Sequence, residues 1–388
     1  MIDTPEKRSI ISGIGLSRTG RKTGISSLEL TLESSRQAIA DAGLTPADID
    51  GIATMGETPL QDVIAALELE PGYRGGGFDT GGLLSPVISA FFAAGAGKAR
   101  HILVYRTVQM MGGSVLPPRN ADSSAAEAPP RRDNAMTDMR YLLPYHGYAA
   151  PNWLGMHCQR HMHLYGTKKE QLGWLAVNSR RNAGLNPGAV YRDPFTLDDY
   201  MNARMISTPF GLLDCDVPID GSVAVVVSTA DYAKDCPRAP IYVESIGGSN
   251  GDGGWFRRAD YPKMASVDAA AELWGRTDLK PKNIDFAQLY DGFTFLTFAW
   301  LEALGICGEG EAGPFVDRAT RIALEGEMPL NTYGGQLSAG RMHGYWILHE
   351  ACLQLRREAG PRQIRKAANV AVVAAGGGPI AGCMLLRV

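Results

Sequence analysis

The sequence predicts an α/β protein made of two similar halves, and three observations carry this prediction. Buried-strand patterns alternate with helix patterns along the 388 residues. A Leu-x-Pro…Ile-Asp phrase follows a helical stretch and feeds a strand twice, and Pro281 follows Pro46 by 235 residues. A double glycine precedes a helix in each half, as Gly81-Gly82 and Gly334-Gly335. Two matches in the same order indicate an internal duplication, although two unrelated segments with common turn chemistry remain the alternative.

The first half begins with a strand and a capped helix. Residues 10–15 are typical of a buried strand that ends in a glycine turn. Ser26 and Glu29 have the spacing of a capping box, so a helix should start there, and Gly43 suits the position just after its end. A second strand follows, and a further helix is predicted over residues 83–96.

The second half should repeat this order. A helical stretch at residues 269–274 leads through the repeated phrase into a strand, and another helix follows Tyr345. That helix leads to an apolar strand at residues 370–374.

We predict a division into an N-terminal half, residues 1–236, and a C-terminal half, residues 237–388. The run 223–227 is nearly all β-branched, which predicts a strand buried on both faces in the middle of a sheet. A lid region is expected over about 112–206, because residues 112–140 are rich in Pro, Ser, Ala and Arg and show little periodicity.

Composition narrows the class of protein. With 45% hydrophobic and 20% charged residues the chain can bury a large core, and a net charge of −3 argues against nucleic-acid binding. Six scattered cysteines without CxxC spacing indicate a reducing compartment. No signal-type stretch and no apolar run of 18 residues is present, so a cytoplasmic protein is expected. His157 and His161 would share a helix face, but they lack an acidic partner at motif spacing, so we expect no metal site.

The stretch from Asn331 to Tyr345 combines a double glycine with Tyr333, Arg341 and His343. Adjacent glycines allow a tight turn and close backbone approach. The helix that follows should present free N–H groups and the positive end of its dipole. Such a turn can hold negative charge that develops on a substrate.

Four motifs follow one another along the chain. They are Asn182-Ala-Gly-Leu-Asn-Pro, Asp214-Cys-Asp-Val-Pro-Ile-Asp-Gly-Ser-Val-Ala, Asn331-x-x-Gly-Gly and Ala375-Gly-Gly-Gly. Together they resemble the thiolase superfamily, most closely its sterol-carrier-protein-x-like branch, over almost the whole chain. The resemblance implies a five-layered α/β fold of two duplicated halves with an inserted lid. It also implies a homodimer that acts on coenzyme A thioesters, with no cofactor other than the coenzyme A of the substrate.

The catalytic positions of that family are changed in this chain. Asp79 stands where thiolases have their nucleophilic Cys, Arg341 stands at the catalytic His, and Ala374 stands at the second Cys. A carboxylate is a much poorer acyl acceptor than a thiolate and cannot support thioester exchange. The differences argue against a conventional Cys-dependent thiolase.

Tyr290, in the phrase Tyr-Asp-Gly-Phe-Thr, stands where thiolases have Asn and the sterol-carrier branch has His. A tyrosine there without the nucleophilic Cys resembles the thiolase-like aldolases of bacterial steroid side-chain degradation. The resemblance implies a carbon–carbon lyase that cleaves a β-hydroxyacyl-CoA, such as a steroid side-chain thioester, by a retro-aldol reaction. It also implies a separate OB-fold (DUF35) partner protein. Those aldolases often carry a second Tyr where this chain has Arg341.

A retro-aldol step needs a base for the β-hydroxyl proton and an acid or oxyanion hole for the enolate, but no covalent nucleophile. We therefore expect Tyr290 to act as acid/base near Arg341, whose charge would lower the tyrosine pKa. His343 is expected as a proton carrier with a pKa near neutrality, and Tyr345 as an alternative acid/base. Contacts with the substrate or its oxyanion are expected from a second set: Asp79, Asp291, Asn331, Gly376, Gly377 and Gly378.

Simple structural roles compete with these assignments. Packing would explain Tyr290 and Tyr345, and a turn position would explain His343. Arg341 would then only anchor a carboxylate such as Asp291 or Glu350. For the whole protein, two alternatives stay open: a Cys-independent acyltransferase or condensing enzyme on the same fold, and a non-catalytic lipid-binding or scaffold subunit.

Overall fold

The structure, a computed structural model, describes residues 4–78, 81–111, 139–250 and 254–388. Its strands are Ser9–Leu16 (β1), Gly51–Thr54 (β2), Tyr73–Gly76 (β3), His101–Gln109 (β4), Met205–Ser207 (β5), Phe210–Gly211 (β6), Asp220–Thr229 (β7), Ile241–Ser249 (β8), Phe286–Leu289 (β9), Val370–Gly377 (β10) and Ile380–Arg387 (β11). Within these ranges the main sheet has the strand order β3-β2-β4-β7-β1-β8-β11-β10-β9, and β5 pairs with β6 separately.

The helices predicted after Ser26, over residues 83–96, over residues 269–274 and after Tyr345 are all present, and further helices accompany them. They are Ser27–Asp41 (α1), Leu60–Leu67 (α2), Ser85–Gly95 (α3), Met139–Leu142 (α4), Ala150–Tyr165 (α5), Lys169–Gly184 (α6), Leu197–Met201 (α7), Ala265–Gly275 (α8), Thr294–Ala303 (α9), Ala312–Val316 (α10) and Tyr345–Leu355 (α11). At the start of α1 the Glu29 N–H donates to Ser26 Oγ and the Ser26 N–H donates to Glu29 Oε2. This capping box and the positive φ of Gly43 confirm the predicted ends of α1.

The main sheet repeats one topology. In the run β1-β7-β4-β2 the successive pairings are antiparallel, antiparallel and parallel, and the run β8-β11-β10-β9 has the same three pairings. Short 3₁₀ turns, Pro46–Asp48 and Pro281–Asn283, precede β2 and β9 and correspond to the repeated phrase of the sequence. The repeated topology supports a duplication of one unit, while the division at residues 236 and 237 stays a prediction.

Helices lie outside and between the two runs of strands. α1 packs on β1, β4 and β7, whereas α8 packs on β8, β10 and β11. α11 lies between the runs, because it contacts β9 and β10 as well as β1 and β7. Strand β7 is buried along almost its whole length between β4 and β1, as its β-branched sequence predicts. The layered α/β fold expected from the sequence is therefore confirmed.

Some features differ from the sequence predictions or lie beyond them. Residues 112–138 of the expected lid region fall outside the described part of the chain, and the rest of that region is mainly helical, from α4 to α7. The edge strand β3 and a turn of π-helix at Gly335–Ala339 were not predicted. Among the helices that the structure describes, none is both long and apolar enough to span a bilayer.

Candidate functional site

A cavity of about 330 Å³ lies where the carboxyl ends of β9 and β10 meet the segment that precedes β7. Three of its lining side chains are polar: Asp216, Tyr290 and Arg341. Most of the remaining lining is apolar, with Trp153, Leu154, Trp255, Phe293, Leu296 and Ile380. Mostly apolar walls with a few convergent polar groups are typical of small-molecule sites. This cavity is the candidate active site.

Tyr290 follows β9 directly and is held against β10, since its N–H donates to Ala374 O at 2.9 Å. The residue is 8% exposed. Burial raises the pKa of the Tyr290 phenol above its ordinary value, and Asp216 raises it further, although Arg341 lowers it. Arg341 thus lowers the tyrosine pKa, as expected, but burial outweighs it and the net shift is upward. The phenol keeps its proton at neutral pH and can act as a donor.

Asp216 is the functional candidate that the sequence predictions missed. Its N–H donates to Gly292 O at 3.1 Å, and the next N–H, of Val217, donates to Gln336 O at 2.9 Å. These two bonds place the carboxylate between the turn after Tyr290 and the π-helical turn. The Asp214-Cys-Asp motif was visible, but it does not show which carboxylate reaches the cavity.

Asp214, two residues earlier, is fully buried and accepts hydrogen bonds from the hydroxyls of Tyr200 and Thr294, at 2.5 and 2.6 Å. Asp214 ends a short 3₁₀ turn, Leu212–Asp214, and tertiary contacts then separate the two aspartates. Asp214 is held within the core, whereas Asp216 lines the cavity.

Arg341 pairs with Asp216 and with neither carboxylate that the sequence suggested. Its Nη1 lies 3.3 Å from each oxygen of Asp216, and its Nη2 lies 3.0 Å from Met110 Sδ. Burial raises the pKa of Asp216 to about 6, although Arg341 lowers it. Glu350 instead pairs with Arg362 at 3.0 Å. Arg341 thus supplies a fixed positive charge at the cavity.

His343 does not have the near-neutral pKa expected of a proton carrier. Arg106 Nη2 donates to His343 Nδ1 at 2.9 Å, so the ring proton must be on Nε2. Burial, together with the charges of Arg106 and Arg341, lowers the pKa of His343 well below its ordinary value. The imidazole is neutral near pH 7 and is not among the residues that line the cavity.

Tyr345 and Tyr333 are fully buried, and neither lines the cavity. Tyr333 packs against Trp346, with ring centroids 5.3 Å apart. Both hydroxyls lack a hydrogen-bond partner among the described residues, and burial raises both pKa values. The geometry favours packing for Tyr345, which was the alternative to an acid/base role.

Asp291 and Asn331 are placed to hold main chain in position. Asp291 Oδ1 accepts from the Gln336 N–H at 2.8 Å. Asn331 accepts from the Leu289 N–H at 2.8 Å and donates to the Leu289 carbonyl at 2.9 Å. Both side chains are buried and neither lines the cavity. Instead of the expected substrate contact, these two residues fix the turns that carry Tyr290 and Arg341.

The three glycines 376–378, expected to form an oxyanion hole, have different surroundings. Gly376 and Gly377 line the cavity at the end of β10. The Gly378 N–H donates to Met264 Sδ at 2.9 Å, which engages one amide that the sequence suggested for an oxyanion hole. Asp79, expected beside the substrate, lies outside the described residues.

None of the six cysteines lines the cavity. Cys215, next to Asp216, donates to Gly211 O at 3.5 Å, and burial raises its thiol pKa to about 12.

The two histidines considered as metal ligands have other partners. His161 lies 3.1 Å from Glu302 Oε1, whereas His157 faces backbone carbonyls. Within the described ranges, no group of three His, Cys, Asp or Glu side chains is arranged to hold a metal ion. The cavity thus presents a proton donor, a carboxylate and a cation, without a thiolate.

Comparisons with known proteins identify the family of this chain. A family model described as thiolase C-terminal domain-like matches residues 251–385. The chain is 32% identical to a steroid side-chain-cleaving aldolase of Thermomonospora curvata, over 97% of both proteins. It is 31% identical to a 17-hydroxy-3-oxo-4-pregnene-20-carboxyl-CoA lyase of Mycobacterium tuberculosis, over 97% of this chain and 99% of that protein.

Solved structures of thiolase-like proteins are also similar to this chain. The Ltp2-ChsH2(DUF35) aldolase superposes with a TM-score of 0.88 and 30% identity, over 98% of both chains. A monomeric SCP2-thiolase-like protein of Mycobacterium smegmatis shares the fold, with a TM-score of 0.74 and 18% identity over 100% of this chain and 78% of that one. The chain therefore belongs to the thiolase superfamily, among its thiolase-like carbon–carbon lyases.

Proposed function

We propose that the protein cleaves a β-hydroxyacyl-CoA by a retro-aldol reaction, with Tyr290 as the proton donor. One observation carries this proposal: a buried, protonated tyrosine shares an apolar cavity with an ion pair, and no cysteine lines that cavity. Acyl transfer needs a thiolate or another activated nucleophile. Retro-aldol cleavage needs only proton transfer and stabilisation of the enolate.

The bond changes of the retro-aldol reaction show which charges and protons the polar groups of the cavity must handle. The β-hydroxyl loses its proton and becomes a carbonyl while the Cα–Cβ bond breaks. The electron pair of that bond goes to the thioester enolate, whose oxygen develops negative charge. The phenol of Tyr290 can donate to this enolate, and the charge of Arg341 favours it. Apolar walls lower the local dielectric constant and so strengthen both interactions.

The walls of the cavity favour a large apolar acyl group. Trp153, Trp255, Phe293 and Leu296 line it together with Ile380. The two relatives are a steroid side-chain-cleaving aldolase and a 17-hydroxy-3-oxo-4-pregnene-20-carboxyl-CoA lyase. We therefore propose a steroid side-chain CoA thioester as the substrate. The reaction exchanges no electrons with a second reactant, so the proposal needs coenzyme A only as part of the substrate.

We also propose that the protein works with a separate OB-fold (DUF35) protein. The support is the Ltp2-ChsH2(DUF35) aldolase, whose name includes such a domain and which aligns over 98% of both chains. A homodimeric core and a cytoplasmic location stay expectations from the resemblance and the sequence.

Product analysis tests the reaction class. The purified protein, alone and with a DUF35 protein, is incubated with a steroid β-hydroxyacyl-CoA, and ketone, acyl-CoA and free CoA are quantified. We expect equal amounts of a ketone and a shortened acyl-CoA. Release of free CoA with a transferred acyl group would instead indicate an acyltransferase, and no turnover in either mixture would favour a non-catalytic subunit. A Cys215→Ala variant serves as the control, because a thiol-independent reaction should proceed at the wild-type rate.

A further inference from the structure

The carboxylate of Asp216 lines the same cavity as Tyr290 and Arg341, and the proposed function leaves it without a role. Its side chain is 9% exposed and that of Arg341 is 30% exposed, so the pair lies at a partly open edge of the cavity. A substrate that fills the cavity can therefore reach the carboxylate without displacing core residues.

Main-chain hydrogen bonds tie the three polar residues into one unit. Asp216 donates to the turn that follows Tyr290, through Gly292 O. The Arg341 N–H donates back to Val217 O at 2.9 Å. Groups held in this way keep their mutual geometry when substrate binds, which proton transfer between a substrate and two side chains requires.

The groups that face Asp216 differ in charge. Arg341 is the cation, while Tyr290, Asp291, Tyr333 and the neighbouring Cys215 interact with it as acids. Burial outweighs Arg341 and raises the pKa of the Asp216 carboxyl to about 6. Such a group is mostly ionised at neutral pH, and it is a stronger base than an ordinary carboxylate. Tyr290 stays protonated over the same range, so the two residues are poised for opposite roles.

We propose that Asp216 is the general base of the cleavage reaction and takes the β-hydroxyl proton, while Tyr290 donates a proton to the enolate. This inference rests on the proposed retro-aldol function. One proton passes from the substrate hydroxyl to Asp216 as the C=O bond forms and the Cα–Cβ bond breaks. One proton passes from Tyr290 to the enolate. Transfer of a proton from Asp216 to Tyr290 restores both groups, so the cycle needs no further reactant.

A structural role would have a different signature. If Asp216 only anchors Arg341, its loss should resemble the loss of Arg341, and the pH dependence of the remaining activity should not change. If Asp216 is the base, its ionisation should produce the acid limb of the profile of kcat/KM against pH, with a midpoint near 6.

The test compares Asp216→Asn, Asp216→Glu and the wild type, with Asp260→Asn as a control for loss of a carboxylate at an exposed ion pair. The substrate is a steroid β-hydroxyacyl-CoA with a tertiary hydroxyl. We expect Asp216→Asn to lower kcat by about 10² to 10⁴ and to abolish the acid limb, as for loss of a general base. Asp216→Glu should keep part of the rate and retain the acid limb of the pH profile. Asp260→Asn should have the same kcat and the same pH profile as the wild type.

Binding of the shortened acyl-CoA product, measured by calorimetry on the same variants, shows whether the cavity is intact. If Asp216→Asn binds the product as the wild type does but lacks the acid limb of the pH profile, the result supports the proposal. An Asp216→Asn enzyme that keeps the acid limb overturns the base assignment, whatever its rate. If the wild type itself forms no ketone, the proposed function fails, and that result is distinct from a failure of the base assignment.

Discussion

Arg341 holds the Asp216 carboxylate at the edge of the cavity, with Nη1 3.3 Å from each carboxylate oxygen. The arginine stands at the sequence position where the family resemblance places the catalytic histidine. An arginine does not give up its proton in proteins, so this position now supplies charge and not acid–base catalysis. In the proposed reaction the proton transfers fall to Asp216 and Tyr290, which contact the same cavity from other elements.

Replacing Arg341 by Met should shift the pH dependence of activity. Arg341 lowers the pKa of Asp216, so its loss should raise that pKa above about 6. The acid limb of kcat/KM should then move to higher pH by about one unit, and kcat should also fall because the enolate loses a cation. Arg258→Met, which removes an arginine from a surface ion-pair network, is the matched control. An unmoved acid limb in the Arg341→Met enzyme would show that the two charges are not coupled.

Replacing Tyr290 by Phe should keep the fold and lower kcat by at least about 100-fold, because the enolate loses its proton donor. The control is Tyr232→Phe, which removes another tyrosine hydroxyl whose hydrogen bond, to Ala42 O at 2.9 Å, is buried and outside the cavity. That variant should lose about 1 kcal/mol of stability and no more than a small part of its kcat. Near-wild-type turnover by Tyr290→Phe would contradict the assignment of the proton donor.

The sequence predicts those features that depend on neighbouring residues. Ser26 and Glu29 are three residues apart, so their capping box can be recognised without a structure, and the β-branched run in β7 gives its burial in the same way. Asp216 and Arg341 are joined by long-range packing, and no local pattern encodes their contact. The near-neutral pKa expected of His343 was wrong, and the net upward shift of Tyr290 was missed, for a related reason: burial dominates both shifts and cannot be derived from a motif.

Replacing Asp291 by Asn should make the protein relatively more stable as the pH rises. Burial raises the pKa of Asp291 to about 7, against about 3.9 in an unfolded chain. The stability that neutral Asp291 contributes is therefore fully present below about pH 4 and is lost as the pH rises through about 7. Asparagine carries no such titration, and its Oδ1 can still accept from the Gln336 N–H.

Thermal unfolding at pH 5 and at pH 8 measures the effect of Asp291→Asn. We expect the melting temperature of the variant minus that of the wild type to rise by about 2–4 °C between these pH values. Loss of the contact with the Leu337 N–H adds a constant difference that does not depend on pH. Parallel curves for the two proteins would mean that Asp291 does not titrate in this window.

Replacing Gly335 by Ala should disrupt the turn that carries Arg341. Gly335 has φ +62°, and an added Cβ would collide with Asp291 Oδ2. Gly166 has φ +72°, but an added Cβ there meets no atom within 4 Å, so Gly166→Ala isolates the conformational cost of about 1–2 kcal/mol. The loss of stability in Gly335→Ala should clearly exceed that cost, because the alanine must also displace the carboxylate that binds the Gln336 N–H. Equal melting temperatures for the two variants would show that the turn tolerates a side chain at residue 335.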